Sequence, residues 1–278
     1  MSEFPHGLMS PAPIGDLALR EQFERDGYVA PIRVISEVEA AEIRSRLASH
    51  EQVHGTLPKA QANNPHLLFC WANEIIRDSR ITDRISEIYG DDLLVWGTTL
   101  FIKQAHHPGF VSWHQDSTYW GLDPADVVTA WIALSDSHED NGALCVVPGS
   151  HLMEQVEHRD TFHADNMLSR GQEIAFDVDP KDAVCLELNP GEMSLHHVRM
   201  IHGSGPNQSA RKRIGFAVRY IPTRVTQRGS LRDTATLVRG EDKFGNFDPE
   251  RAPRLDFEPD AVAFHQQVED RLRQIIMN

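Results

Sequence analysis

Apolar and polar positions change rhythm along the chain. Up to about residue 90 the apolar residues recur at helical spacing. From Asp16 to Asp26, the residues Leu17, Leu19 and Phe23 supply one apolar side, and Gly27 stands where a left-handed C-cap belongs. Tyr28 and Val29 lead into Ile32, Val34 and Ile35, which predicts a short strand. Ser36 and Glu39 have capping-box spacing, so a second helix is expected to start there and turn Ala40, Ile43 and Leu47 inward. A third helix is predicted over 79–89. After Gly90 short apolar runs alternate with Gly, Pro, Asn and Asp: DDLLVWGTTLFIKQ, GFVSWHQD, VVTAWIALS, GALCVVPGS, AVCLELNPGE, MSLHHVRMIHGS and RKRIGFAVRYIP. Runs of that length and spacing predict an antiparallel sandwich or barrel, not alternating β-α units. The stretch from Pro259 to Ile276 reads as an amphipathic helix with Val262, Val268, Leu272, Ile275 and Ile276 on or near one side. The expected fold class is α+β: helices flanking a β-sandwich of jelly-roll type.

At 278 residues and 40% hydrophobic, the chain can bury a sizeable core, which excludes a disordered chain. One domain is expected, with a helical part over about 1–90, a sandwich core over about 91–222, and a lid and C-terminal helix over about 223–278. There is no apolar run near the ~20 residues needed to cross a bilayer, and the first residues lack the features of a signal peptide. The three cysteines, Cys70, Cys145 and Cys185, show no CxxC spacing. They argue against a disulfide framework and for a reducing, cytoplasmic setting. Lys+Arg 27 against Asp+Glu 41 gives a net charge of −14, a poor match for nucleic acid or an anionic membrane. The terminal helices pack on the sheet or pair two copies into a homo-oligomer; the sequence leaves both open.

With 15 histidines, a lone one carries no weight. A pattern does. In Trp113-His114-Gln115-Asp116, strand alternation is expected to put His114 and Asp116 on one face. An imidazole and a short carboxylate there can give a metal two adjacent ligands. A two-His-one-carboxylate set leaves open positions and suits non-haem Fe(II) chemistry with O2. For the third ligand His196, His197 and His202 compete, and spacing does not choose. His202 is followed by Gly203, Ser204 and Gly205, small residues that would let a strand end approach a ligand. Further on, Arg213, Gly215, Ala217 and Arg219 share one strand face, while Ile214, Phe216, Val218 and Tyr220 share the other. Two guanidinium groups separated by small residues fit an anion-holding cavity. They fit equally an edge strand with arginines in solvent.

HQD (114–116), Trp120, AWIAL (130–134), NGALCVVPGSH (141–151), HGSGPNQSARKR (202–213) and the opening FERDGYV (23–29) together resemble the phytanoyl-CoA dioxygenase family. The resemblance implies a double-stranded β-helix, cupin-like core and dependence on Fe(II), the cosubstrate 2-oxoglutarate and O2. It implies His114, Asp116 and His202 as iron ligands. Arg213 and Ser204 would hold the distal carboxylate of 2-oxoglutarate, with Trp131 and Thr99 lining its pocket. His196 and His197 then become supporting residues, and His151 steadies a loop at the sandwich end. The implied reaction hydroxylates an unactivated C–H bond and releases succinate and CO2. Halogenating relatives have a small residue where Asp116 stands, so oxygenation is expected here.

The substrate is expected to be a small polar metabolite: an amino acid, an aminophosphonate or similar. An acyl-CoA or carrier-bound substrate is the alternative. Tyr119, Trp120 and Arg219 are its candidate contacts, with Arg219 meeting an anionic group or forming a structural ion pair. The long polar segments 154–181 and 223–251 read as lids or binding loops. Two rivals from other classes are a Zn-dependent hydrolase or isomerase and a non-enzymatic binding protein on the same fold.

Overall fold

The computed structural model describes residues 18–229 and 231–277. Seven α-helices are present among them: α1 (Leu19–Asp26), α2 (Glu37–His54), α3 (Lys59–Ala62), α4 (Cys70–Ile75), α5 (Ser79–Tyr89), α6 (Ser117–Trp120) and α7 (Pro259–Met277). The strands are β1 (Tyr28–Arg33), β2 (Leu93–Lys103), β3 (Val111–His114), β4 (Leu122–Asp123), β5 (Val128–Ala133), β6 (Leu144–Val146), β7 (His158–Asp160) and β8 (Gln172–Ile174). They continue with β9 (Val184–Leu186), β10 (Glu192–His197), β11 (His202–Ser204), β12 (Arg213–Pro222), β13 (Thr226–Gln227), β14 (Thr234–Arg239) and β15 (Asp248–Pro249). A seven-stranded sheet in the order β1-β10-β5-β12-β2-β14-β15 faces a four-stranded sheet in the order β3-β11-β6-β9. This is the jelly-roll core that the run spacing predicts.

The helix signals act as read. The Ser36 hydroxyl accepts from the Glu39 N–H at 3.1 Å, and the Glu39 carboxylate accepts from the Ser36 N–H at 2.6 Å, so both halves of the capping box form. Gly27 closes α1 at φ 78°, its N–H donating to the Phe23 carbonyl. The α5 helix covers the predicted span, capped by Asp78, which the Arg80 N–H reaches at 2.9 Å. Asp16 and Leu17 of the first predicted helix lie outside the described residues.

The two faces of β12 explain the layering. Ile214, Phe216, Val218 and Tyr220 join Ile132, Leu195 and Met193 in one apolar cluster with Ile43 and Leu47 of α2 and Ile81 and Ile85 of α5. Each fully buried side chain of this kind contributes about 1.5–3 kcal/mol. That cluster fixes the helices on the outer face of the large sheet, and the inner face is left to the cavity between the sheets.

Several expectations need correction. The strand predicted through Ile35 ends at Arg33. Val262 is 37% exposed on α7, whereas Val268 is buried; the apolar side of that helix is narrower than its sequence suggests. Cys145 and Cys185, opposite each other on β6 and β9, form a disulfide, leaving Cys70 free. This overturns the reading against disulfides and removes the cysteine argument for a reducing compartment. Within the segment 223–251, expected as a lid, β14 and β15 are built into the edge of the large sheet, and Glu250, buried there, accepts from Thr234 and Thr236 and faces His66 Nε2 at 3.0 Å. No helix among the described residues is long and apolar enough to cross a membrane.

Candidate active site

Between the sheets lies a cavity of about 650 Å³. Strand register arranges its large-sheet wall in rows. Lys103 of β2 is opposite Arg213 of β12. Thr99, Ala217, Trp131 and Ser194 form a second row, and Gly97, Arg219, Thr129 and His196 a third.

The facing small sheet brings together His114, Asp116 and His202, whose ligand atoms all lie within 4.8 Å of one another. His114 and His202 are cross-strand partners on β3 and β11. Asp116 does not share their strand: β3 stops at His114, and Asp116, at φ −64° and ψ −33°, starts the turn into α6. The expected alternation is therefore wrong in mechanism, although the turn carries the carboxylate to the same point. His114 Nδ1 lies 2.9 Å from the Ser112 carbonyl, and His202 Nδ1 lies 2.9 Å from the Met200 carbonyl. A carbonyl only accepts, so both Nδ1 atoms hold the proton and both Nε2 lone pairs are left facing Asp116, at 3.2 and 4.0 Å. Burial opposes ionisation of Asp116, but the neighbouring His202, His114 and Arg219 outweigh it and hold the carboxyl below its ordinary range. Burial first, then His114, lowers His202 to about 4. Two neutral imidazoles and one carboxylate at one point are a donor set that fits a divalent transition metal.

The Arg213 end fits a carboxylate. Arg213 is 2% exposed, and burial alone lowers it to about 9. Its guanidinium lies over the Trp131 ring at 5.2 Å, and its Nε has no hydrogen-bond partner. Lys103 is fully buried beside it and donates to the Ser204 hydroxyl at 2.6 Å and to the Gly205 carbonyl. Burial, then Arg213, lowers Lys103 to about 6. Among the described residues no carboxylate pairs with either cation. A buried guanidinium without an acid calls for an anionic ligand. Gly215, between Arg213 and Ala217, makes room: an added Cβ would lie 2.0 Å from the Trp131 indole. Gly203 has a different reason from the one expected, since its Cβ would press on Trp113 and on the Val111 carbonyl of β3, not on a ligand.

The remaining candidates fall into place around this. Thr99 lines the cavity and accepts from Arg219 at 2.6 Å. The Arg219 guanidinium lies over the Trp120 ring at 5.4 Å, and Trp120 packs on Trp96. No described residue forms an ion pair with Arg219, so the structural ion pair is not seen. The side chain of Tyr119 lies outside the described residues. His196 is buried with its ring 4.9 Å from that of His202, whereas His197 packs on Phe23 and His151. His151 Nε2 meets the Glu24 carbonyl at 3.0 Å and ties α1 to the turn at Gly149, as a loop-steadying residue should. Of the long segment 154–181, residues 164–169 and Gln172 line the cavity. Asn166 anchors that stretch by donating to the Ser112 hydroxyl at 2.8 Å.

Lys103 escaped the sequence reading. A lysine at the end of LFIKQ reads as a solvated strand end; only the register opposite Arg213 reveals it. Spacing could have found it, since Lys103, Phe101 and Thr99 share one face of the strand.

The family model of phytanoyl-CoA dioxygenase (PhyH) matches residues 23–215. The chain is 32% identical over 163 residues to the "Probable alpha-ketoglutarate-dependent hypophosphite dioxygenase" of Stutzerimonas stutzeri, which covers 56% of each chain. It is 26% identical over 234 residues to the L-proline trans-4-hydroxylase of Streptomyces griseoviridis, covering 75% of this chain and 87% of that one. The chain spans about half the length of several curated relatives it matches, including ectoine dioxygenase of Streptomyces avermitilis at 53%. Among solved structures, the non-heme monooxygenase ThoJ in its apo form superposes with a TM-score of 0.82 at 37% identity, over 94% of this chain and 98% of that one.

Proposed function

We propose, from the premise that this chain belongs to the phytanoyl-CoA dioxygenase family, that it is an Fe(II)- and 2-oxoglutarate-dependent oxygenase hydroxylating an unactivated C–H bond of a small polar metabolite. The observation that carries this reading is one cavity lined by both a His-Asp-His set and Arg213, a buried guanidinium that no carboxylate pairs with among the described residues. His114, Asp116 and His202 would hold the metal, and Asp116, occupying the carboxylate position, favours oxygenation over halogenation. Arg213, which lines the cavity, would hold the distal carboxylate of 2-oxoglutarate, with Lys103 behind it. Ser204, already accepting from Lys103, keeps that ammonium aimed, and Trp131 backs the guanidinium. When bound, Fe(II), 2-oxoglutarate and O2 supply the oxidant that turns a C–H into a C–OH bond, with succinate and CO2 as co-products. The protein's share is placement and dryness. Trp96 and Trp120 shield the substrate side from water, and the backbone carbonyls of Ser112 and Met200 fix the two imidazoles.

The exposed part of the lining bears Lys59 together with the acid Asp165. That mixture, on a chain of net charge −14, favours a small metabolite over an acyl-CoA or carrier-bound substrate. The activities for which the hypophosphite and proline relatives are named support the same size class. The test is aerobic incubation of Fe(II)-loaded protein with 2-oxoglutarate and a panel of amino acids, phosphonates and related metabolites. Succinate release should rise with one or a few of them, each yielding a product one oxygen heavier. Asp116→Ala should lower that turnover by at least roughly a hundredfold; undiminished turnover in the variant would sink the assignment.

A further inference from the structure

We infer that His196, Thr129 and Arg219 form an oxyanion-receiving subsite for the substrate, so that the metabolite carries a carboxylate, phosphonate or phosphate group. This rests on the oxygenase reading above and narrows its substrate class. Register sets the three residues side by side across β10, β5 and β12: His196 faces Thr129, and Thr129 faces Arg219. Neighbours in such a row point to the same side of the sheet, about 4.8 Å apart strand to strand. All three line the cavity. His196 and Thr129 are each 2% exposed.

Each member has a buried polar atom without a hydrogen-bond partner: His196 Nδ1, Thr129 Oγ1 and Arg219 Nε. Buried polar atoms are nearly always paired, so three orphans in adjacent positions of one row mark a place built for something else. The chemistry of the row says what. The Arg219 Nε–H can only donate, the threonine hydroxyl can donate, and the imidazole donates when its proton is on Nδ1. Three donors in one row with one positive charge match an oxyanion. The guanidinium is held for that purpose, with Nη1 committed to Thr99 at 2.6 Å and its plane over Trp120. Burial lowers Arg219 and the more distant Asp116 raises it, and among the described residues no carboxylate lies within ion-pair distance of the guanidinium. Arg213 stands six residues earlier on the same strand face, roughly 20 Å away along the strand, and serves a different carboxylate. Because His196 packs 4.9 Å from His202, an anion on the row would place the adjoining carbon next to the metal-binding triad.

The probe is methylphosphonate, added to protein loaded with Mn(II) and saturating 2-oxoglutarate and followed by phosphorus-31 relaxation. Wild-type protein should show saturable relaxation enhancement, and the uncharged dimethyl ester none. Arg219→Gln should weaken the binding by at least about tenfold, with Arg219→Lys recovering part of it. Thr129→Val, nearly isosteric and gentle to the fold, should weaken it about threefold, and it decides the matter alone if the arginine variants do not fold. The inference fails if wild-type protein shows no saturable binding or if the variants match it. It fails also if Arg219→Gln loses 2-oxoglutarate affinity by as large a factor, for the row would then serve the cosubstrate. Conversion of 2-oxoglutarate to succinate by wild-type protein with Fe(II) is scored separately. Its absence overturns the oxygenase reading whatever methylphosphonate does.

Discussion

Arg213 brings a positive charge into a desolvated interior where, among the described residues, no carboxylate pairs with it, and a ligand carboxylate relieves it. Replacing Arg213 by Gln should raise the dissociation constant of 2-oxoglutarate at least about tenfold, as loss of a charge-assisted pair demands; calorimetric titration measures it. Lys103 gives this binding a pH signature. Without ligand, burial has lowered the ammonium to about 6, so it is mostly neutral at pH 8. A bound carboxylate favours the charged form and raises that value, so binding takes up a proton above pH 6. Affinity should therefore fall as pH rises from about 6.5 to 8.5, by up to about tenfold per unit, and Lys103→Met should flatten the slope. A constant affinity in the wild-type protein across that range would remove Lys103 from the site. How far these residues were legible differs case by case. His114, Asp116, His202 and Arg213 announce themselves by motif and spacing. Lys103 and the row of His196, Thr129 and Arg219 do not, because their meaning lies in which strands pair, and pairing is set by contacts distant in the chain.

At the level of elements, β12 shows how one strand can serve core and cavity through alternation alone. Its packing face was readable from Ile214, Phe216, Val218 and Tyr220, and its cavity face was readable as an alternative. The choice between the cavity and a solvated edge depended on β5 and β2 flanking the strand on both sides. Gly215 is the sensitive point. Gly215→Ala would put a methyl group 2.0 Å from the Trp131 indole, which is buried and cannot retreat freely. Destabilisation of about 1–3 kcal/mol is expected, together with weaker 2-oxoglutarate binding as the ring shifts under Arg213. Gly205→Ala, where nothing lies within 4 Å of the added carbon, should be nearly neutral for stability by the same thermal melt. Helices were legible where a cap was written in the sequence, as at Ser36 and Asp78. The short α4 was not read, since its CWANEI is buried on several sides and shows no single apolar stripe.

For the whole molecule, the link from Cys145 to Cys185 closes a loop with a sequence separation of 40, and the cavity-lining residues 164–169 and Gln172 hang within it. Loop-closure entropy puts its contribution at roughly 3–4 kcal/mol. The double variant Cys145→Ser/Cys185→Ser should therefore lose about that much in denaturant unfolding, and reductant should destabilise the wild type but not the variant. Equal stability in both would mean the pair is not joined in solution. The alternation of runs foretold two sheets, but three sparse cysteines gave no hint that two would meet across β6 and β9. The length of β12 has a wider consequence. Arg213 opens it and Arg219 stands past its middle, so in the proposed reaction cosubstrate and substrate anion would be gripped at two separate points of a single ribbon. Substitutions around Arg219 would then alter which metabolite is taken while leaving the grip at Arg213 intact.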